Sequence, residues 1–539
     1  MKKIIFLLLL NLLLFSCARV GAPNGGTRDS LAPKFLGSNI DTTRLNVSRT
    51  VKELRLDFDE YVMLKDFNKN FNVSPPIKKI KKVIPSNLAN KYVLIQWEDT
   101  LQANTTYNFN FGNAIVDNNE SNPLPYFNFA FSTGDKIDDL FVSGTVKDAM
   151  TLIKENQTAK DNKMVVGLYK AGENLDYKQK PDYITKVDEE NYFELNFLPK
   201  GEFVIIAFDD ENQNSVYDAG KEKVSFLKEK ITLDSTSVRG LKLKLYPSKK
   251  VVKYKESKAI NGGLLMTFEG NPETVEVKSL SEELKDFKVT HAKRSDSVNI
   301  WFDAEKSNLG GTVSKQVKLS YFTPTISDTI SVSYKAVKDE FKLSNEAGNL
   351  IAPENNFVIN TSLPIENLKT SSWKLESDSI AQDFTAKISE KNPFKILVNS
   401  SFKPTKKYVL TIPKETVSSY YSSNDKSFQF QFEIDKPENY GSFTAVIKNK
   451  PTAKFWVELT NEKGEILYSQ FTNASEVSFK NLKPATYIAR IRVDNNGNGF
   501  WDEADFAQNI AAEDVYIFEK EINVRPLWEI KEDWELTNR

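Results

Sequence analysis

TYNFNFGNAIVDNN (residues 106–119) and FNFAFSTG (residues 127–134) decide how this chain folds. In the first, Tyr107, Phe109 and Phe111 alternate with Asn108 and Asn110; in the second, Phe127, Phe129 and Phe131 alternate with Asn128 and Ala130. Successive side chains on a strand point to opposite faces, so both runs read as half-buried strands with the rings inward. Asp117, Asn118 and Asn119 supply turn chemistry between them. Working outward, Leu54, Leu56 and Phe58 alternate with charged residues, and Tyr92–Ile95 forms a further apolar run. Phe71 and Val73 lead into Ser74-Pro75-Pro76, which stops a strand because proline cannot donate to a ladder. Short strands at near-regular spacing, separated by turn residues, predict a β-sandwich over residues 34–135.

The same stretches carry a resemblance. Phe58-Asp59-Glu60-Tyr61-Val62, Leu101 to Tyr107 (L-x-x-N-T-x-Y), Ile115-Val116-Asp117 and Phe131-Ser132-Thr133 are similar to the hallmarks of the bacterial Ig-like domain first described in S-layer proteins. The resemblance covers about residues 32–134 and implies a fold, not an activity.

The remaining chain is strand-rich throughout, and with 539 residues it is too long for one core. Residues 136–247, with Phe141–Val146, Val165–Tyr169 and Phe203–Phe208 as their clearest strands, resemble the transthyretin-like, carboxypeptidase-regulatory type of sandwich. Residues 248–347 alternate without a known motif, and residues 348–436 echo the first domain. Residues 437–539 repeat the second. The expected fold class is therefore all-β: a string of about five Ig-like or transthyretin-like sandwiches after a lipoprotein signal peptide.

The repeat is visible without a gap. LNFLPKGEFVIIAFDDENQNSVYD and FKNLKPATYIARIRVDNNGNGFWD align at a constant offset of 284, from Leu198 to Leu482 and from Asp210 to Asp494. Each copy carries Asp-x-Asn-x-Asn-x-x-aromatic-Asp after a strand. Oxygen side chains at positions 1, 3, 5 and 9 of a tight loop can converge on one hard cation, as in the EF-hand, which adds a carboxylate at 12. This selects Asp494, Asn496, Asn498, Asp502 and Asp505 as a calcium set. It selects Asp210, Asn212, Asn214, Asp218 and Glu222 as a weaker one, because Lys221 holds position 12 and Ser215 stands where the second copy has Gly499. The competing reading is an Asx-rich turn in which these side chains bond backbone alone. Either way the loop is a structural stiffener.

MKKIIFLLLLNLLLFSC opens the chain: two lysines, a short apolar segment and a small residue before Cys17. This is a secretory signal peptide over residues 1–16. Its Leu-x-Ser-Cys ending resembles the bacterial lipobox, which implies that Cys17 carries a diacylglycerol-type lipid and becomes the N-terminus. Cys17 is the only cysteine, so an exported chain of this length keeps its one thiol for something other than a disulfide. Residues 17–33, rich in Gly, Pro and small polar residues, read as a tether. Asp-Ser and Asp-Thr pairs at Asp29, Asp41, Asp99, Asp234, Asp296, Asp328 and Asp378 resemble the O-glycosylation sequence of exported Bacteroidota proteins. The whole layout resembles an outer-membrane Ig-domain lipoprotein of that phylum.

Composition narrows the chemistry. Lys+Arg is 72 and Asp+Glu is 73, which gives no electrostatic case for nucleic acid. A single histidine, His291, and a cysteine assigned to lipid leave almost no material for Ser-His-Asp or Cys-His catalysis, or for His-rich zinc sites. Carboxylate-pair chemistry stays open by composition, but no pair stands out. The expectation is a non-enzymatic, lipid-anchored scaffold or accessory subunit. Its partners would be an integral outer-membrane β-barrel and other envelope lipoproteins, in barrel-protein or lipoprotein assembly. The alternative is a surface adhesin or glycan binder, with Trp373, Trp456, Trp528 and Trp534 as candidate platforms. Ala18-Arg19-Val20-Gly21 lacks the acidic residues of surface-exported lipoproteins and leans towards the periplasmic face.

Overall fold

The structure, a computed structural model, describes residues 29–152, 163–172, 176–337, 340–346 and 348–536. The signal peptide and Cys17 lie outside the described residues. Strands dominate, and the one α-helix among the described residues is the single turn Phe67–Asn70. No helix there is long and apolar enough to cross a membrane.

The alternation read from residues 106–134 is realised in the first domain. Strands Asn72–Ser74, Thr106–Gly112 and Phe127–Ser132 form one sheet; Phe35–Ser38, Glu53–Leu64, Asn90–Trp97 and Ile80–Ile84 form the facing one. Phe109, Phe111, Phe129 and Phe131 are buried between them with Leu54, Leu56 and Phe58. Ring centroids of Phe109 and Phe131 lie 5.8 Å apart, and Trp97 sits 5.5 Å from Phe109. The Asp117 turn closes tightly: its two carboxylate oxygens accept the backbone N–H groups of Asn119, Glu120, Ser121 and Asn122. Burial works to raise this carboxyl's pKa, but the four bonds prevail and hold it below its ordinary value.

Four further pairs of sheets follow in chain order, the fourth domain adding a two-stranded ribbon of Asn367–Leu368 with Val417–Ser418. In the second domain, Tyr183–Lys186, Met164–Lys170, Gly201–Asp209 and Val224–Phe226 face Tyr192–Leu198, Leu140–Asp148 and Val238–Leu245. The fifth domain has the same topology from Ile466–Thr472, Phe455–Thr460, Ala485–Val493 and Val515–Ile517 over Glu476–Leu482, Gly441–Lys448 and Glu529–Glu535. In both, the last strand runs parallel to the first, so the internal repeat is a repeat of fold. The third and fourth domains are sandwiches with their own cores. The fourth shares one device with the first. Tyr408 Oη accepts the Lys403 N–H at 2.8 Å, as Tyr107 Oη accepts that of Gln102 at 2.8 Å.

The two repeats differ on their outer sheet faces. In the second domain that face is apolar, with Val165, Tyr169, Ile206 and Phe208 buried. In the fifth, the same positions carry Trp456, Thr460, Arg490 and Arg492. Glu458, fully buried, accepts from Arg490 Nη2 at 2.7 Å and from Arg492 Nε at 3.0 Å. Paired, charge-assisted donors of this kind offset the cost of burying a carboxylate.

Consecutive domains are tied by side chains. Trp301 of the third domain packs into the fourth domain's core, and Asn481 of the fifth donates to the Pro353 carbonyl of the fourth at 2.9 Å. The fifth domain also returns to the second and third, and that return places the two acidic loops.

Candidate functional site

Each acidic loop follows the long central strand of its domain, Gly201–Asp209 or Ala485–Val493, and is closed by one hydrogen-bond pattern. Asp210 is nearly buried, and its two oxygens accept from Asn214 N at 2.9 Å and Ser215 N at 3.0 Å. Asp494 does the same with Asn498 N and Gly499 N, both at 3.0 Å. Asn212 and Asn496 use Oδ1 to accept from Asn214 N and Asn498 N, and Nδ2 to donate to Asp218 and Asp502, each at 2.5 Å. The sixth position lies in the left-handed region in both, with φ 61° at Ser215 and 82° at Gly499. Glycine meets this freely; serine takes it at a cost of about 1 kcal/mol.

A glutamate completes each loop, and in the second copy it is not Asp505. Glu222 accepts from Glu211 N at 3.0 Å and Asp218 N at 2.8 Å. The bond matching that of Asp218, from Asp502 N at 2.9 Å, goes to Glu513, which also accepts from Asn496 N at 3.2 Å, one residue past the counterpart of Glu211. Asp505 instead accepts from Gln508 N and pairs with Ile510. The reason is an insertion. After the loop the offset between copies changes from 284 to 291, Glu222 to Glu513 and Val224 to Val515, so the fifth domain holds seven extra residues there. Glu-x-Val recurs in both copies and was the available signal. Burial pushes the Glu222 carboxyl up to about 7 and raises that of Glu513. At Asp502 burial also acts upward, but the amides of Asn496 and Asn498 and the charge of Arg294 hold its pKa below the ordinary value.

The oxygens so gathered are hard donors of the kind calcium takes. As they stand, the oxygens of Asp210, Asn212, Asn214, Asp494, Asn496 and Asn498 accept from backbone N–H groups. Among the described residues no group of three or more His, Cys, Asp or Glu is arranged to hold a metal ion. In this arrangement the Asn212 and Asn496 amides hold Asp218 and Asp502 as in an Asx-rich turn.

The extra residues have a place of their own. Ala504 forms a parallel bridge with Ser248, accepting from Lys249 N at 2.8 Å and donating to the Pro247 carbonyl at 3.1 Å. Phe506, 5 % exposed, enters the apolar outer face of the second domain, 4.3 Å from the Tyr177 ring and 5.1 Å from that of Phe226. Ser248 Oγ in turn donates to the Glu222 carbonyl at 2.6 Å and accepts from Gly220 N at 2.9 Å. On the other side Asp502 accepts from Arg294 Nη1 of the third domain at 2.7 Å, and that guanidinium lies 4.6 Å from the centre of the Phe500 ring. Both acidic turns thus lie at one junction among three domains.

Of the candidate aromatic platforms, Trp373 and Trp534 are buried; Trp373 Nε1 donates to Thr416 Oγ1 at 2.9 Å, and Trp534 packs 5.3 Å from Phe518. Trp456 is half-buried and stacked 4.4 Å from Phe471. Trp528 is 49 % exposed, with Arg525 over its ring at 4.8 Å. The lone His291 holds the Ser295 carbonyl at 3.0 Å from Nε2.

Comparison with known proteins bears on the first domain. The family described as Bacterial Ig-like domain (Big_5) matches residues 29–133. No curated protein matches the chain. Among solved structures, an S-layer protein, rSbsC(31-844), is 12 % identical over 92 % of this chain and 67 % of its own, with a TM-score of 0.15. BcpA, the major pilin subunit of Bacillus cereus, is 10 % identical over 74 % of this chain and 99 % of its own, with a TM-score of 0.14. At scores this low the overlap does not amount to a common arrangement.

Proposed function

We propose that this protein is a non-enzymatic lipoprotein, held at the outer membrane through acyl chains on Cys17, whose folded-back β-sandwiches form a docking platform. Its partners are an integral outer-membrane β-barrel and other envelope lipoproteins, with barrel-protein or lipoprotein assembly the preferred setting. The observation that carries the reading is the pairing of a lipobox cysteine with domains tied to one another by side chains. Acyl chains contribute about 0.8 kcal/mol per buried methylene and give a lasting anchor. A platform of fixed shape loses less freedom on docking than a flexible string would. Ala18–Gly21, lacking acidic residues, favours the periplasmic face. Calcium, where present, stiffens the two acidic loops. A surface adhesin or glycan binder is the second reading, favoured by the exposed Trp528 ring.

The test is purification from native membranes in mild detergent with a tag at Arg539. The proposal expects a β-barrel in stoichiometric amount; a clean monomer counts against it and moves weight to the second reading.

A further inference from the structure

The alternation that fills the first domain's core with phenylalanine leaves asparagine on the opposite face. Register pairs Asn72 with Asn110 and Asn110 with Asn128, so three carboxamides stand in one row across the sheet. Ser74 and Asn108 pair in the next row. Neighbouring strands lie about 4.8 Å apart, on the order of the length of one sugar ring. This face is one wall of a cleft of about 1160 Å³ whose other wall is the second domain, from Tyr183 to Asn196. The two walls touch where Ile184 N donates to Ser74 Oγ at 3.2 Å.

Three features set the cleft apart from a mere seam. Asn108, 7 % exposed, and Asn72 both line it, and the Oδ1 of each is buried without a hydrogen-bond partner. A permanent contact between sandwiches would be apolar or would satisfy these groups. Second, Tyr126 lines the cleft, is 69 % exposed, and sits at φ 53°. A bulky residue rarely adopts that backbone, and such strain persists where the surroundings impose it. Here two asparagines of the cleft impose it: Asn113 Oδ1 accepts the Tyr126 N–H at 3.1 Å, and Asn128 Nδ2 donates to its carbonyl at 2.9 Å. Third, the cleft's charges are mixed, with Lys65, Lys69 and Lys186 against Asp188, Glu189 and Glu190. Such a wall does not select a polyanion.

We infer that this interdomain cleft binds a neutral oligosaccharide. Carboxamides both donate and accept, which is what sugar hydroxyls require. An exposed ring such as Tyr126 offers the flat apolar face on which a sugar's C–H groups stack, and a concave site with a few placed polar groups fixes orientation. The inference is independent of the scaffold reading, since a docking platform needs no such cleft.

The test uses the full-length protein in detergent on an array of neutral and acidic oligosaccharides, followed by calorimetry with the strongest neutral ligand. Tyr126→Gly relieves the backbone strain while removing the ring, so it is expected to weaken binding at least tenfold without lowering the melting temperature. Asn72→Ala is expected to weaken binding by a similar factor, and Phe322→Ala, an exposed ring at a strand end of the third domain outside the cleft, to leave it unchanged. Binding to acidic oligosaccharides alone, no binding to any neutral one, or neutral binding indifferent to both Tyr126→Gly and Asn72→Ala overturns the inference.

Discussion

Replacing Phe506 by alanine removes the one aromatic anchor that the fifth domain's extra residues place in the second domain. The ring is 5 % exposed, within 4.3 to 5.9 Å of Tyr177, Phe226 and Tyr217, and belongs to the second domain's outer cluster rather than to the fifth domain's own core. Phenylalanine-to-alanine changes in cores cost about 3–5 kcal/mol. The seam can relax more than a core, so the lower end applies, and about 3 kcal/mol corresponds to roughly a hundredfold shift in the docking equilibrium. Two amides report it directly. Lys249 N and Ala504 N are hydrogen-bonded only across the junction, to Ala504 O and Pro247 O. Native-state hydrogen exchange in Phe506→Ala should show protection at these two amides falling about a hundredfold, with the central strand Ala485–Val493 unchanged. Unchanged protection at Lys249 and Ala504, or an equal loss throughout the fifth domain, would refute the argument that Phe506 acts at the junction.

Asp117→Ala removes the acceptor for four backbone N–H groups; a hydrogen bond to a charged group contributes about 1.5–3 kcal/mol net of the exchange with water. Loss of about 3 kcal/mol from the first domain in urea titration is expected, and a loss below about 1 kcal/mol would mean that water replaces the carboxylate. Glu222, raised to about 7 from 4.5 by burial, carries a cost in the folded state that is present above pH 7 and absent below pH 4.5. In calcium-free buffer its contribution to stability therefore rises as pH falls through that window, by at most about 3 kcal/mol at 1.36 kcal/mol per unit. Glu222→Gln should flatten that part of a pH-stability curve, and an unchanged slope would assign it elsewhere. Millimolar calcium should raise the melting temperature at neutral pH and Asp494→Ala should reduce the gain; identical melts in calcium and in EDTA would leave the loops as hydrogen-bonded turns alone.

Strand alternation is a local signal, and where a sheet has one buried face it reads directly. Phe109, Phe111, Phe129 and Phe131 lie inside because their period is that of the pleat. The repeat was legible for the same reason, since Tyr192–Leu198 and Gly201–Asp209 recur as Glu476–Leu482 and Ala485–Val493 at one offset. Legibility failed at the length change. A template counted in fixed steps runs into the insertion and selects Asp505, whereas the backbone N–H groups of the loop are met by Glu513, brought back from beyond it. Trp373 and Trp534 resemble surface candidates in a polar context, and only the packed structure shows them buried. The return of the fifth domain to the second leaves no period in the sequence, because Ser248 and Ala504 meet across hundreds of residues through a single bridge.

The claim on which the platform rests is that return, and a distance measurement tests it most directly. Asn509 Nδ2 donates to the Lys228 carbonyl at 3.3 Å, and both residues are exposed. Cys17 is the only native thiol, so spin labels at Lys228→Cys and Asn509→Cys in a Cys17→Ser background report this one separation by pulsed electron spectroscopy. A single short and narrow distribution is predicted. A broad distribution reaching the separations of a freely jointed string of domains would contradict the account.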